Sequence, residues 1–262
     1  MSNKDKVLIT GASTGIGAVY ADRFAKRGHD LVLVARDRAR LATLSARLIR
    51  ETGVKVEILP ADLVDPAALG TVESRLREDS QIGILVNNAG IALPGNFLDQ
   101  SPDDVTRLIT LNVTVPTRLT NVIAPRLAKQ GRGAIVNVSS ILALTPELGF
   151  EAYGGTKSFI LRLSQSLNLL LAPKGVYVQA VLPAATRTEI WERSGLDVSK
   201  IEGVMEVDDL VDASLVGFDR REAVTIPPLP DDAQWQAYEA ARQAMLPNFR
   251  QEKPAQRYGI GR

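Results

Sequence analysis

The feature that most constrains this chain is a series of short apolar runs, most of them with almost no polar alternation. Residues 7–10, 31–35, 54–59, 84–86, 134–138 and 176–182 are rich in Val, Ile, Leu and Ala. A strand apolar on both sides must be covered on both faces, which is the situation of a parallel sheet between helical layers. Amphipathic stretches separate the runs, at 16–27, 39–51, 66–78, 102–129 and 152–173. Some open with N-terminal signals such as Asp65-Pro66 and Ser101-Pro102. This alternation predicts an α/β fold, a single Rossmann-like doubly wound domain whose parallel sheet has six or seven strands and helices on both faces.

Beyond residue 183 the pattern loosens. Residues 206–217 and 231–245 read as helices and 224–226 as a last strand. The domain is expected to span 1–246, with a polar, mobile tail at 247–262. The stretch 152–173 is apolar on more than one stripe. It must be covered on most sides, by the core or by a second subunit as well.

Composition excludes several classes. Thirty-one basic against 30 acidic residues leave a net charge of +1, which argues against a dedicated nucleic-acid binder. With no cysteine, disulfides, thiolate catalysis and cysteine metal sites are excluded. The single histidine, His29, leaves no His-rich metal site. No apolar stretch is long enough to span a membrane, and no signal-peptide pattern opens the chain, so the expected location is cytoplasmic.

Thr10-Gly-Ala-Ser-Thr-Gly-Ile-Gly17 lies between the first strand and the first helix. Gly11, Gly15 and Gly17 allow a tight turn and a close approach of backbone to phosphate, and the helix start offers free N–H groups. The same residues contain G-x-S-x-G at Gly11–Gly15, the nucleophile elbow of hydrolases. That reading needs a histidine late in the chain, and the only one is His29. On the dinucleotide reading the end of the second strand meets the adenosine ribose. Ala35 there accepts no hydrogen bond, and Arg36 would pair with a 2′-phosphate, so the cofactor is expected to be NADP(H). Asp37, one residue on, keeps NAD(H) open.

Tyr153 and Lys157 are spaced to share one face of the long helix. A nearby ammonium, together with an oxidised nicotinamide, would lower a phenol pKa toward working pH. Asn137-Val-Ser-Ser140 ends the preceding strand, at the sheet edge where open α/β folds bind ligands. A serine hydroxyl there can donate to a substrate carbonyl oxygen.

With Asp62-Leu63, Asn87-Asn-Ala-Gly90 and Asn112 added in this order, the chain resembles the short-chain dehydrogenase/reductases over about residues 7–188. The resemblance implies hydride transfer between nicotinamide and a carbonyl or alcohol carbon. It makes Tyr153 the general acid/base and Ser140, preferred to Ser139 by its spacing to Tyr153, the group that positions substrate oxygen. Lys157 would lower the tyrosine pKa and hold the nicotinamide ribose, and Asn112 would hold a relay water behind it. The cofactor would lie on Gly11, Ser13, Thr14, Gly15, Ile16 and Gly17 of the glycine loop. Arg36, Asp62 and Leu63 would take its adenosine end. Asn88, Ala89 and Gly90 would form its floor, with Asn88 also steadying the sheet. Pro183, Thr186 and Thr188 would flank the nicotinamide. The family's Pro-Gly after the sixth strand is Pro183-Ala184 here, and the C-terminus continues past the last strand.

The substrate loop is expected at about 184–205. The pocket wall would combine 141–150 with 189–203, including Leu142, Leu144, Leu148, Phe150 and Trp191, which suits an apolar or aromatic carbonyl. A homodimer or homotetramer would form through 102–129 and 152–173. A non-catalytic nucleotide-binding sensor or interaction module is the alternative, and folding alone does not require Asn112, Ser140, Tyr153 and Lys157 together.

Overall fold

The computed structural model describes residues 4–189 and 197–260. Its first unit, Met1–Pro227, alternates strand and helix. The order is β1 (Lys6–Thr10), α1 (Gly15–Lys26), β2 (Leu31–Ala35), α2 (Arg38–Thr52), β3 (Val56–Pro60), α3 (Pro66–Glu78) and β4 (Ile82–Asn87). Then come α4 (Pro102–Ile109), α5 (Val115–Gln130), β5 (Ala134–Val138), α6 (Glu151–Leu171), β6 (Tyr177–Val181), α7 (Val207–Asp219) and β7 (Val224–Thr225). The strands form one seven-stranded sheet of order β3-β2-β1-β4-β5-β6-β7, and every pairing is parallel. The order reverses between β1 and β4, so a crevice opens at their carboxyl ends.

The lack of polar alternation has a direct cause. Val7 and Ile9 of β1 enter a core with Tyr20 and Phe24 of α1, Leu41 and Leu48 of α2 and Leu215 of α7. Leu8 enters the opposite core with Leu69 and Val72 of α3 and Leu119 and Ile123 of α5. Each fully buried side chain of this size contributes about 1.5–3 kcal/mol, so neither face tolerates a polar residue without a partner.

The stretch expected to be one helix at 102–129 is interrupted. Residues Thr110–Thr114 form a π turn, in which the Val115 N–H reaches back to the Thr110 carbonyl. Pro116 follows and has no N–H to return to the Asn112 carbonyl, so that α-helical bond is missing at the break. The turn places Asn112 inward, almost fully buried. Helix α6 is not covered on most sides within the chain, since Phe159, Leu169 and Leu170 are exposed.

The second unit, Pro228–Arg262, contains α8 (Asp232–Ala244), capped by Asp231, and short 3₁₀ turns at Leu246–Arg250 and Gln256–Tyr258. No residue of α8 is buried. Trp235 and Tyr238 stack at 5.3 Å on it.

Candidate active site

The site is built at the carboxyl ends of β1, β4, β5 and β6. Helix α6 begins with a strained residue: Phe150 adopts φ 61° and ψ 44°, left-handed backbone rarely taken by an aromatic residue. Its carbonyl accepts from the Gly154 N–H at 2.6 Å, which starts the helix abruptly and places Tyr153 in its first turn.

Lys157, one turn later, is buried. Its Nζ donates to the Val138 carbonyl at 2.9 Å and lies 5.4 Å from the Tyr153 ring centroid. Desolvation pushes the Tyr153 phenol up to about 12 and the Lys157 ammonium down to about 8. Burial by the chain itself thus opposes the phenolate that the sequence reading expects.

The two serines after β5 separate by contact. Ser139 Oγ donates to the Lys157 carbonyl at 2.7 Å, so it fastens α6 to the sheet. Ser140 Oγ accepts from the Leu142 N–H at 3.1 Å and lies 3.4 Å from the Pro183 carbonyl.

Asn112 binds the strand-end segment twice, through Nδ2 to the Ile91 carbonyl and through Oδ1 from the Ile91 N–H, both at 2.9 Å. Its Nδ2 also reaches Thr156 Oγ1 at 3.3 Å, and that hydroxyl donates to the Tyr153 carbonyl at 2.6 Å. The π turn, the segment after β4 and the tyrosine helix are thereby tied together.

The glycine loop packs against the end of β4. Asn88 Nδ2 donates to the carbonyls of Thr10 and Gly11, at 3.0 and 3.1 Å. Thr10 Oγ1 accepts from the N–H groups of Asn88 and Ala89, at 3.0 and 3.1 Å. A Cβ on Gly17 would collide with the Gly11 carbonyl and with Asn88, so no larger residue fits. Ser13 and Thr14 complete the turn, and Ile16 packs against the core under α1. Thr14 caps α1 without a side-chain bond, whereas Asp37, Asp65 and Ser101 cap α2, α3 and α4 with theirs. The segment after β6 closes the other wall. Pro183 is buried, the Thr186 hydroxyl donates to the Ala184 carbonyl, and Thr188 lies against the glycine loop. Backbone bonds from Arg187 to Met205 and from Met205 to Ala185 pin it.

These residues fit a dinucleotide. A Cβ placed on Gly90 would lie 3.2 Å from Asn112 Oδ1 and 3.7 Å from Lys157 Nζ, filling the space in front of the buried lysine. A groove kept open there by the missing side chain is a cradle for a flat ring and its ribose. At the adenosine end Arg36 is exposed beyond β2, while the Asp37 carboxylate accepts the Arg40 N–H at 3.0 Å as the cap of α2. Asp62 is half-buried, accepts from the Val64 N–H at 3.2 Å and lies 3.8 Å from Arg107, and Leu63 is buried.

Three features escaped the sequence reading. Asn88 holds the glycine loop, and the residue that steadies the sheet is Asn87, whose Nδ2 donates to Asn137 and Thr120 at 2.8 and 3.0 Å. Asn137 continues the chain to Ser164 at 2.9 Å. Thr10 is the hub between β1 and β4, and only its place directly before Gly11 could have signalled it. Trp191, expected in the pocket wall, lies outside the described residues.

A doubly wound sheet with a glycine loop after β1 and a buried lysine, Lys157, beside Tyr153 defines a nucleotide-dependent oxidoreductase scaffold. The short chain dehydrogenase family matches residues 5–198, and the chain belongs to that family. It is 61% identical to a short-chain dehydrogenase from Sphingobium yanoikuyae in complex with NADPH, covering 96% of this chain and 98% of that one with a TM-score of 0.95. A bulky-bulky ketone specific alcohol dehydrogenase from Comamonas testosteroni is 51% identical, covering 98% and 99% with a TM-score of 0.92. Human 17-beta-hydroxysteroid dehydrogenase type 3 is 34% identical over 184 residues, 69% of this chain and 59% of that protein. The chain spans less than two thirds of the length of such curated relatives. Among the described residues no helix is long and apolar enough to cross a membrane, and no group of acidic or histidine side chains could hold a metal.

Proposed function

We propose that this chain is an NADP(H)-dependent oxidoreductase that interconverts an alcohol and a carbonyl compound, with Tyr153 as general acid/base. The observation that carries the reading is the buried Lys157 ammonium beside Tyr153, facing the open side of Gly90. Nothing in folding calls for an ammonium at that depth. The cofactor supplies the hydride chemistry and, when oxidised, a positive charge near the phenol.

The chain's own groups do the rest. Ser140 Oγ donates to the substrate oxygen and fixes it beside the phenol. Tyr153 passes its proton to that oxygen in reduction and takes it back in oxidation. Lys157 holds the nicotinamide ribose and favours phenolate by charge. Asn112 keeps the Gly90 floor and the Tyr153 turn in register, and its place behind Lys157 suits the holding of a relay water. Gly11, Ser13, Thr14, Gly15, Ile16 and Gly17 hold the diphosphate. Asp62 and Leu63 take the adenine, and Asn88 and Ala89 continue the floor. Pro183, Thr186 and Thr188 flank the nicotinamide. Arg36 takes the 2′-phosphate, because Asp37 is engaged as a helix cap. NADPH in the Sphingobium relative supports this preference.

The substrate class we infer is a bulky apolar ketone or its alcohol. Half-buried Leu142, Leu144 and Phe150 near the site support it, as does the ketone named for the Comamonas relative. The loop at about 184–205 would close the pocket. A cytoplasmic homodimer or homotetramer goes with this reading, supported by an apolar groove between α5 and α6 lined by Ala124, Leu163, Leu167 and Leu170.

The test is Tyr153→Phe. Reduction of bulky ketones is expected to fall by about 10²–10⁴-fold while NADPH binding, followed by fluorescence, stays within a few-fold. Retained turnover would remove Tyr153 from the reaction.

A further inference from the structure

One ion pair crosses the site without a part in the chemistry above. Arg40, in the first turn of α2, gives Glu189 two hydrogen bonds from Nη1, at 2.8 and 2.7 Å. Arg40 Nε also lies 3.5 Å from Asp37 Oδ2. Glu189 directly follows Thr188, whose methyl lies 3.3 Å from where a Gly15 Cβ would be. The Arg40–Glu189 pair therefore joins the start of α2, at a position four residues after Arg36, to the segment whose Thr188 lies against the glycine loop. Both partners are partly solvated.

We propose that Arg40 is a second reader of the nucleotide 2′-phosphate, and that the Glu189 carboxylate holds the same guanidinium in the phosphate's stead. This rests on the NADP(H) reading and adds a specificity determinant to it. A carboxylate and a phosphate both present paired oxygens to a guanidinium, so they compete for one set of donors. The phosphate brings more charge and more acceptors, and a partly solvated ion pair is easily exchanged. Two acids flank the guanidinium, Asp37 and Glu189. Asp37 is committed to the α2 cap. Glu189 is the acid whose hydrogen bonds to Arg40 the phosphate would replace. The strength of NADP(H) binding is thus set by Arg36 and Arg40 together, against Glu189.

The measurement is a fluorescence titration of the full chain with NADPH and NADH, with 2′,5′-ADP and 5′-AMP as substrate-independent probes. Glu189→Gln is expected to tighten NADPH and 2′,5′-ADP by roughly three- to ten-fold by releasing the Arg40 guanidinium from its ion pair, with NADH and 5′-AMP changed less than two-fold. Arg40→Met is expected to weaken only the 2′-phosphorylated ligands, by roughly ten-fold for one lost charge-assisted pair. In the double variant, Glu189→Gln should add nothing to Arg40→Met. Binding of 5′-AMP reports that each variant is folded.

A Glu189→Gln effect equal for NADPH and NADH, or an undiminished effect in the Arg40→Met background, would overturn the competition. If Arg36→Ala still abolished the NADPH preference, the NADP(H) reading would survive alone. Equal wild-type affinities for NADPH and NADH, unchanged by Arg36→Ala, would overturn both.

Discussion

Asn112 treats Ile91 as one strand treats another, giving a hydrogen bond to its carbonyl and accepting one from its N–H, both at 2.9 Å. A side-chain amide thus imitates a peptide, and it does so from a π turn. The pair holds the segment carrying Gly90, against which Lys157 stands. It couples the floor of the site to the helix that carries the chemistry.

Asn112→Ala should therefore cost both stability and rate. It leaves the Ile91 N–H and carbonyl partly buried and unpaired, a loss of about 1–3 kcal/mol by urea denaturation. Asn112→Asp keeps the acceptor and removes the donor, so it should retain part of the stability. A variant as stable and active as the parent would show that the pair positions nothing.

The two serines should respond differently. Ser140→Ala should lower turnover by about 10²–10³-fold, the loss of one oxyanion donor, and cost about 1 kcal/mol of stability for the lost bond from the Leu142 N–H, too little to account for the fall in rate. Ser139→Ala removes the bond to the Lys157 carbonyl and should cost about 1–2 kcal/mol of stability. Reversed outcomes would exchange their roles.

Gly90→Val tests the cradle. Its backbone φ is not in the left-handed region, so the new side chain folds without that strain. The side chain would fill the space in front of Lys157 and weaken NADPH binding by at least ten-fold, or about 1.4 kcal/mol. Unchanged binding in a calorimetric titration would mean that the cofactor lies elsewhere.

Lys157 gives a pH prediction. Burial lowers its pKa from 10.5 to about 8. A lysine shifted in this direction penalises the native state while protonated. The penalty is complete below about pH 8 and is relieved as pH rises toward the unfolded value. The parent protein should gain on the order of 3 kcal/mol relative to Lys157→Met between pH 7.5 and 10.5. Tyr153 acts oppositely, because its raised pKa removes stability as pH climbs from about 10 through 12. Denaturation of both proteins at pH 7 and pH 10 isolates the lysine. A difference independent of pH would contradict a buried ammonium.

Much of this architecture was legible without coordinates. The apolar runs of β1, β2 and β5 carry the period of strands covered twice, and the glycine loop announces the end of β1. Tyr153 and Lys157 were legible because their spacing is set within one helix. The break in the helix expected at 102–129 was not, because hydrophobic periodicity averages over a single extra residue in a turn. Pro116 was its one local sign.

What the sequence by itself determined is the order of strands and helices, and with it the sheet edge where the chemistry-bearing residues collect. Local pattern and short-range spacing are enough for that, since each element is stabilised by its own repeating contacts. The tertiary structure alone decided which neighbours share their tasks. Asn87 rather than Asn88 spans the sheet, Ser139 rather than Ser140 anchors α6, and Asp37 is spent on a helix cap. It also brought Arg40 to Glu189 across most of the chain's length. Adjacent residues of one type are chemically equivalent in sequence, and only the direction each side chain takes after folding separates them.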